Sequence, residues 1–97
     1  MSSPSFMVVR SQGVTWGIPA GQFTRVVALM EGVRLEGATG SVVADEVLAV
    51  DDALGVMAVP APIRRHFPVR CRGLALWRHQ PILVVDGTNL PGFAREE

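Results

Sequence analysis

The side chains that could act as nucleophiles or general bases are few in this sequence and widely spaced. Cys71 is the only thiol, and His66 and His79 are the only imidazoles. Nucleophilic catalysis needs a nucleophile, a base and a group that orients the base to meet in space, and the G-x-S-x-G motif that presents a reactive serine does not occur here. His79 has the setting of a turn residue between two strands, and His66 follows two arginines in a polar segment. We therefore expect the protein not to be an enzyme.

Ligands for metals and cofactors are equally sparse. Structural zinc is held by four closely spaced ligands, and one cysteine with two histidines does not supply them. The acidic pairs at residues 45–46 and 51–52 lack the alternating spacing of a calcium loop. The glycines form neither a dinucleotide-binding nor a phosphate-binding motif. The sequence therefore predicts no metal and no cofactor.

The composition indicates a small folded domain that contacts other proteins. The chain has 97 residues, nine basic and nine acidic side chains, and a formal net charge of +0. Binding to nucleic acid needs an excess of positive charge, so nucleic acid is not an expected partner. Hydrophobic residues make up 48% of the chain and charged residues 19%, which excludes a disordered chain. A mean hydropathy of +0.31 suggests that some apolar surface lies outside the core and meets another protein.

The sequence also favours a cytoplasmic protein. A single cysteine forms no internal disulfide framework and suits a reducing compartment. No positive charge precedes Arg10, and no long apolar stretch follows, so the start of the chain is unlike a signal peptide. The longest apolar runs, at residues 74–77 and 82–85, are far shorter than the roughly 20 residues that span a bilayer. We expect no insertion into a membrane.

The first third of the chain predicts a β-hairpin followed by a helix. Residues 6–10 are an apolar run, residues 11–13 a turn, and residues 14–18 an alternating strand that ends at Pro19. The spacing of the apolar residues then changes to that of a short helix, which ends at Gly32. Its apolar face, which we interpret as packing on the core, consists of Phe23, Val26, Val27 and Met30.

The remainder predicts further short strands. Residues 33–40 suggest a strand fragment and a turn, and residues 41–50 one alternating strand with Val43, Val47 and Ala49 on one face. A short strand follows at residues 55–59. Residues 69–77 and 81–86 predict a second hairpin, joined by residues 78–80. About five or six short strands with glycine and proline at the corners favour a small barrel or sandwich, with Trp16 and Trp77 in its core.

Several short motifs follow one another in an order typical of one protein family. They are FMVVR at residues 6–10, VTWGIP at 14–19, QFTRVV at 22–27, GSVVADEVLAV at 40–50, PAP at 60–62, RGLAL at 72–76 and PILVVD at 81–86. Together they resemble the CheW-like domain, which opens with two strands, an A-I/L-P ending and a short helix. That domain continues with a G-L-L-V-D-E-V strand and closes with a P-I-L-L-L-D strand. The resemblance covers nearly the whole chain and identifies residues 1–97 as a single shortened CheW-like domain.

The resemblance implies a mainly β fold of small SH3-like barrels, with one short helix after the first hairpin. A full CheW domain folds as two such barrels side by side. Its middle segment carries an L-R-G-x-x-x-P-V-x-D-L motif. Only residues 31–39 occupy that interval here, so the sequence resembles a member that lacks the middle segment.

The resemblance also implies an adaptor. CheW proteins are non-enzymatic scaffolds in bacterial chemosensory pathways, where they link the cytoplasmic domain of a chemoreceptor to the regulatory domain of a histidine kinase, or bind other CheW-like proteins. Such contacts use apolar patches with charged rims. The protein-binding residues are therefore expected to be exposed, and we predict Arg25 and Leu29 on the helix, Leu35 in the shortened connection, and Arg72 and Arg78 near the second hairpin.

Other interpretations of the sequence stay open. One is a generic small β-barrel that binds proteins outside this pathway, or a self-associating accessory subunit that does not contact the kinase. The high apolar fraction and the missing middle segment favour a homodimer that rebuilds the two-barrel shape. A small enzyme or ligand-binding domain belongs to a different class, and it predicts that replacing His66, His79 or Cys71 abolishes an activity.

Overall fold

The computed structural model describes residues 5–52, 54–60, 62, 65 and 71–95. Within these ranges the chain forms ten β-strands and two short 3-10 helices. The strands are β1 (Phe6–Ser11), β2 (Val14–Pro19), β3 (Arg25–Ala28), β4 (Val33–Glu36), β5 (Gly40–Ala44), β6 (Glu46–Asp51), β7 (Val56–Met57), β8 (Gly73–Trp77), β9 (Gln80–Val84) and β10 (Ala94–Arg95). The 3-10 helices are Ala20–Gln22 and Gly87–Asn89.

The strands form two sheets. The six-stranded sheet has the order β6-β1-β2-β9-β8-β7, and the four-stranded sheet has the order β10-β5-β4-β3. Neighbouring strands are antiparallel, except that β2 and β9 run parallel. The prediction of a mainly β fold is confirmed. In the described part of the chain, no helix is long and apolar enough to cross a membrane.

Alternation along β1 divides the buried residues between two clusters. Met7 and Val9 belong to the first cluster, whereas Val8, which points to the opposite face, belongs to the second. The first cluster joins the two sheets and consists of Met7, Val9, Trp16, Ile18, Phe23, Leu35, Val42, Val85 and Leu90. The second consists of Val8, Ala75, Ile82 and Val84, with Trp77 and Leu54 among the half-buried side chains that pack on it. The core position predicted for Trp16 is confirmed.

The helix predicted after the first hairpin is wrong. A single 3-10 turn follows β2, and the segment then extends as β3, which pairs with β4 from Arg25 opposite Glu36 to Ala28 opposite Val33. The helical spacing of apolar residues was coincidental, because this short segment is rich in β-branched side chains that favour a strand. Of the four side chains assigned to the helix face, Phe23 is buried and Met30 is fully exposed.

The strand predicted at residues 41–50 is two strands in different sheets. The chain turns at Asp45, so that β5 lies in the four-stranded sheet and β6 beside β1 in the six-stranded sheet. A bulge between Val8 and Val9 shifts the register of β6. Val47 consequently packs on the first cluster and Ala49 on the second, while Val43 is exposed. The common face predicted for these three residues is wrong.

The other predicted strands are recovered with different ends. The first hairpin and the strand before residue 37 are present, and β7 is shorter than the predicted strand at 55–59. The second hairpin is confirmed, but only Arg78 and His79 form its turn, because Gln80 already pairs with Trp77. The predicted start of this hairpin at residues 69–70 lies outside the described residues.

Candidate protein-interaction site

A row of apolar side chains crosses one half of the six-stranded sheet. Met57 on β7 lies opposite Leu74 on β8, and Leu74 lies opposite Leu83 on β9. Leu83 in turn aligns with Trp16 on β2, which belongs to the first cluster. Residues directly opposite each other in a sheet share a face. The row therefore continues the apolar face of the first cluster outward to the edge strand β7.

The outer part of this face is exposed. Met57 and Leu76 are each 62% exposed, and Leu76 lies opposite Pro81, which is also exposed. Val14 on β2 alternates onto the same face and is 45% exposed. Exposed apolar side chains that adjoin one another, rather than lying singly, are typical of protein-binding surfaces. We call Val14, Met57, Leu74, Leu76 and Pro81 the apolar strip.

A positive charge is held at the end of the second hairpin. Arg78 follows β8 directly, and its guanidinium carbon lies 4.5 Å from the centre of the Trp77 ring. Stacking of a guanidinium on an indole face is attractive and restricts the arginine side chain. Arginine and tryptophan are the residue types that most often dominate the energy of protein interfaces. Because Trp77 alternates with Leu76 and packs on the second cluster, this ordered cation lies on the sheet face opposite the apolar strip.

The turn that carries Arg78 has an unusual composition for its geometry. Arg78 and His79 have φ values of 50° and 65°, and a two-residue turn with both values positive is type I′. Such turns favour asparagine and glycine, because other side chains are strained there. The first hairpin has φ values of 52° at Gln12 and 77° at Gly13, and thus has glycine at its second position. The second hairpin instead presents two large polar side chains to solvent.

Replacing His79 with glycine is expected to stabilise the protein. Glycine adopts a φ of 65° without the steric cost that histidine incurs. Part of the gain is offset by the greater freedom of glycine in the unfolded chain, so we expect the free energy of unfolding to rise by about 0.5–1 kcal/mol. Urea unfolding followed by tryptophan fluorescence measures this change. An unchanged or lower stability would show that His79 makes a compensating contact.

The five predicted protein-binding residues do not lie together. Arg72 immediately precedes β8 and Arg78 follows it, so the two are roughly 20 Å apart along that strand. Arg25 begins β3, where it forms an exposed ion pair of 3.5 Å with Glu36, and Leu29 directly follows the same strand. Arg78 is the predicted residue nearest in sequence to the strip, but its stacking on Trp77 puts its guanidinium on the opposite face of the sheet.

Leu35 is fully buried, so the prediction that its side chain is exposed is wrong. It lies between Arg34 and Glu36 on β4, and alternation turns Leu35 into the first cluster while its two charged neighbours point away. Its environment is therefore that of a core residue.

Leu76 and Met57 are two exposed residues of the apolar strip that the sequence analysis did not identify. A signal was present for Leu76, because residues 74–77 are apolar without a break. A strand with one face in water normally alternates apolar and polar residues. An unbroken run therefore indicates that both faces meet apolar surroundings. Met57 carries no comparable signal, since β7 has only two residues.

Cys71 and His79, two of the side chains considered for chemistry, lie at opposite ends of β8. Cys71 is half-buried, and its thiol donates a hydrogen bond of 3.1 Å to the carbonyl oxygen of Gly73. His79 is exposed at the hairpin turn, and His66 lies outside the described residues. Among the residues that the structure describes, no three histidine, cysteine or acidic side chains are grouped so that they could hold a metal ion.

Two open depressions lie on the described surface. One, of about 320 Å³, lies beside Phe23 and Phe93, and the other, of about 310 Å³, lies beside Phe6, Val56 and Arg72. Neither is lined by a cysteine, histidine or carboxylate side chain. The polar side chains that line them are Gln22, Thr39 and Thr88 in the first and Arg72 in the second.

Comparison with known proteins identified no relative. No protein-family model, curated protein sequence or solved structure matches the chain. The resemblance to CheW-like domains therefore stays a prediction from the sequence motifs alone.

Proposed function

We propose that the protein is a non-enzymatic adaptor that binds other proteins through the apolar strip. The observation that carries this proposal is the exposure of Leu76 and Met57, each 62%, on a continuous apolar sheet face. Burying such side chains against a partner removes apolar surface from water, which is the main favourable term in protein association.

The pathway is proposed from the sequence motifs. Their resemblance to CheW-like domains supports a role in bacterial chemosensory signalling, in the cytoplasm, between a chemoreceptor and a histidine kinase or another CheW-like protein. The mainly β architecture with small strands agrees with that resemblance at the level of fold class.

Replacing Leu76 with glutamate tests the strip. The purified protein is titrated separately against a chemoreceptor signalling-tip fragment and a kinase regulatory domain, and binding is measured by calorimetry. A charge at the centre of an apolar contact is expected to raise the Kd at least about tenfold for the partner that uses the strip. Val50→Glu is the matched control, because Val50 is also 62% exposed but lies on β6 at the opposite edge of the same sheet.

The outcomes of this titration test the binding surface and the identity of the partner separately. Binding by the wild-type chain that Leu76→Glu weakens and Val50→Glu does not supports both the adaptor and the strip. Equal binding by all three proteins would show that another surface makes the contact. If the wild-type chain binds neither fragment, the proposed link between a chemoreceptor and a histidine kinase is wrong.

A binding module outside chemosensory signalling is the second candidate. The apolar strip favours it as well, because the strip is defined by strand register and exposure and does not depend on the resemblance. Capture experiments with the wild-type chain and Leu76→Glu as bait would separate the two candidates by the identity of the proteins that only the wild-type chain retains.

A further inference from the structure

The strand β3 is an open edge of the four-stranded sheet. Among the described strands it pairs with β4 alone. Edge strands in natural proteins usually avoid further pairing by means of proline, several charges or a covering element. β3 reads Arg-Val-Val-Ala, with one charge and no proline. Its edge therefore has the composition of a strand that can accept another.

The face of β3 that continues the core is exposed. Val26 lies opposite Leu35, and Leu35 lies opposite Val42; both of these neighbours are buried. Val26 itself is 50% exposed, and Ala28 on the same face is also exposed. The inward face of this sheet is therefore covered at β4 and β5 but uncovered at β3. The fully exposed Met30 follows in the adjoining turn.

The hydrogen-bonding groups of the edge can be assigned from the ladder with β4. The backbone N–H of Leu29 donates to the carbonyl oxygen of Gly32, at 3.1 Å. In an antiparallel ladder, alternate residues bond to the same neighbour. Val27 and Leu29 therefore direct their backbone groups to β4, and Val26 and Ala28 direct theirs outward.

We propose that two copies of the chain associate by antiparallel pairing of their β3 strands, with the two-fold axis at Val27. Val26 then exchanges hydrogen bonds with Ala28 of the second copy, and the two Val27 side chains face each other across the axis. This register joins outward-directed backbone groups and keeps the inward faces of both sheets on one side. It produces a continuous eight-stranded sheet from the two four-stranded sheets.

The charges at the two ends of β3 favour this arrangement. Arg25 begins the strand, and the exposed Glu31 lies in the turn that follows it. Antiparallel pairing brings Arg25 of each copy to the end where the other copy carries Glu31. The side chain of Arg25 is 74% exposed although it contacts Glu36, so it can approach a second carboxylate. A parallel arrangement would instead place like charges together, which is unfavourable.

Replacing Val26 with lysine tests the association. We expect the wild-type chain to form a concentration-dependent dimer in sedimentation velocity, and Val26→Lys to raise the dimer Kd at least about tenfold, because an edge lysine opposes strand pairing. Val43→Lys is the matched control, since Val43 is 51% exposed, against 50% for Val26, on a strand inside the same sheet. A wild-type chain that stays monomeric at high micromolar concentration would overturn the proposal, as would equal disruption by the two lysines.

Cysteine cross-linking tests the register. In a Cys71→Ser background, Val27→Cys places two thiols in a directly opposed pair with Cα atoms about 4.5 Å apart, within the range of a disulfide. Val26→Cys places its two Cα atoms about 8 Å apart, beyond that range. We expect a covalent dimer from Val27→Cys under mild oxidation, and little from Val26→Cys. Faster cross-linking through Val26→Cys would contradict the proposed axis.

Discussion

Replacement of Leu35 by alanine is expected to lower the free energy of unfolding by about 2–5 kcal/mol. Leu35 is fully buried and lies between Val26 on β3 and Val42 on β5, at the centre of the four-stranded sheet. Truncation removes apolar contacts with the first cluster and leaves a cavity. The cavity is expected to stay largely open, because β4 is hydrogen-bonded to a strand on each side and cannot move far to fill it. For a domain whose total stability is about 5–15 kcal/mol, such a loss is large.

Leu76→Ala is the matched control for this prediction. The chemical change is the same, but Leu76 is 62% exposed, so its truncation is expected to cost less than about 1 kcal/mol. Urea unfolding of both variants, followed by fluorescence of the two tryptophans, gives the two free energies. Similar losses for the two variants would contradict the burial of Leu35 and restore the earlier prediction that it belongs to an interaction surface.

Replacement of Gly32 by alanine is expected to lower the free energy of unfolding by about 2–4 kcal/mol. Gly32 ends the turn between β3 and β4 with a φ of +94°, a conformation that side-chain-bearing residues rarely adopt. A Cβ atom at this position would also collide with the backbone carbonyl oxygen of Ala44. Because the obstacle is backbone within the adjacent strand, the clash cannot be relieved by a side-chain rotation.

Gly13→Ala separates the two causes of this destabilisation. Gly13 has a φ of +77°, but a Cβ atom there would have no atom within 4 Å. Its replacement is therefore expected to cost only the backbone term, about 1–2 kcal/mol. Thermal unfolding of both variants gives the difference, which reports the clash at Gly32. If the two alanine variants are equally stable, the close approach of Gly32 to Ala44 is absent in solution.

The first hairpin could be predicted because its signals are local. Val14, Trp16 and Ile18 alternate with smaller or polar residues, and Gly13 supplies the positive φ that the turn requires. Pairing of the two strands depends on residues that are near in sequence. The structure therefore agrees with the prediction to within a residue, from Phe6 opposite Pro19 to Ser11 opposite Val14.

The strand β3 could not be distinguished from a helix by its own pattern. Apolar residues at positions 23, 26, 27 and 30 satisfy the helical period, and a short segment offers too few repeats to exclude a coincidence. The segment is a strand because β4 supplies backbone hydrogen-bond partners for it, from Glu36 to Val33. That partner is recognised only when the two strands and their register are considered together.

The interaction site was only partly predictable for a related reason. Arg78 was predicted from its place beside the second hairpin, but the alternation of Leu76 and Trp77 places its guanidinium on the face opposite the strip. The exposure of Met57 instead depends on how far the first cluster extends across the six-stranded sheet. Leu35 is the converse case: β4 lies between β3 and β5 inside the four-stranded sheet, and the first cluster covers the Leu35 side chain.

The sequence by itself determined the mainly β architecture, the two hairpins and the apolar character of residues 74–77, since these depend on alternation and turn chemistry within a few residues. The tertiary structure decided which apolar side chains are covered. It turned the chain at Asp45 from one sheet into the other, buried Leu35, and left Leu76 and Val26 exposed. Whether an apolar side chain is buried depends on pairings such as β2 with β9, between residues far apart in the chain. A local sequence pattern carries no information about which distant strand will pack against a given segment.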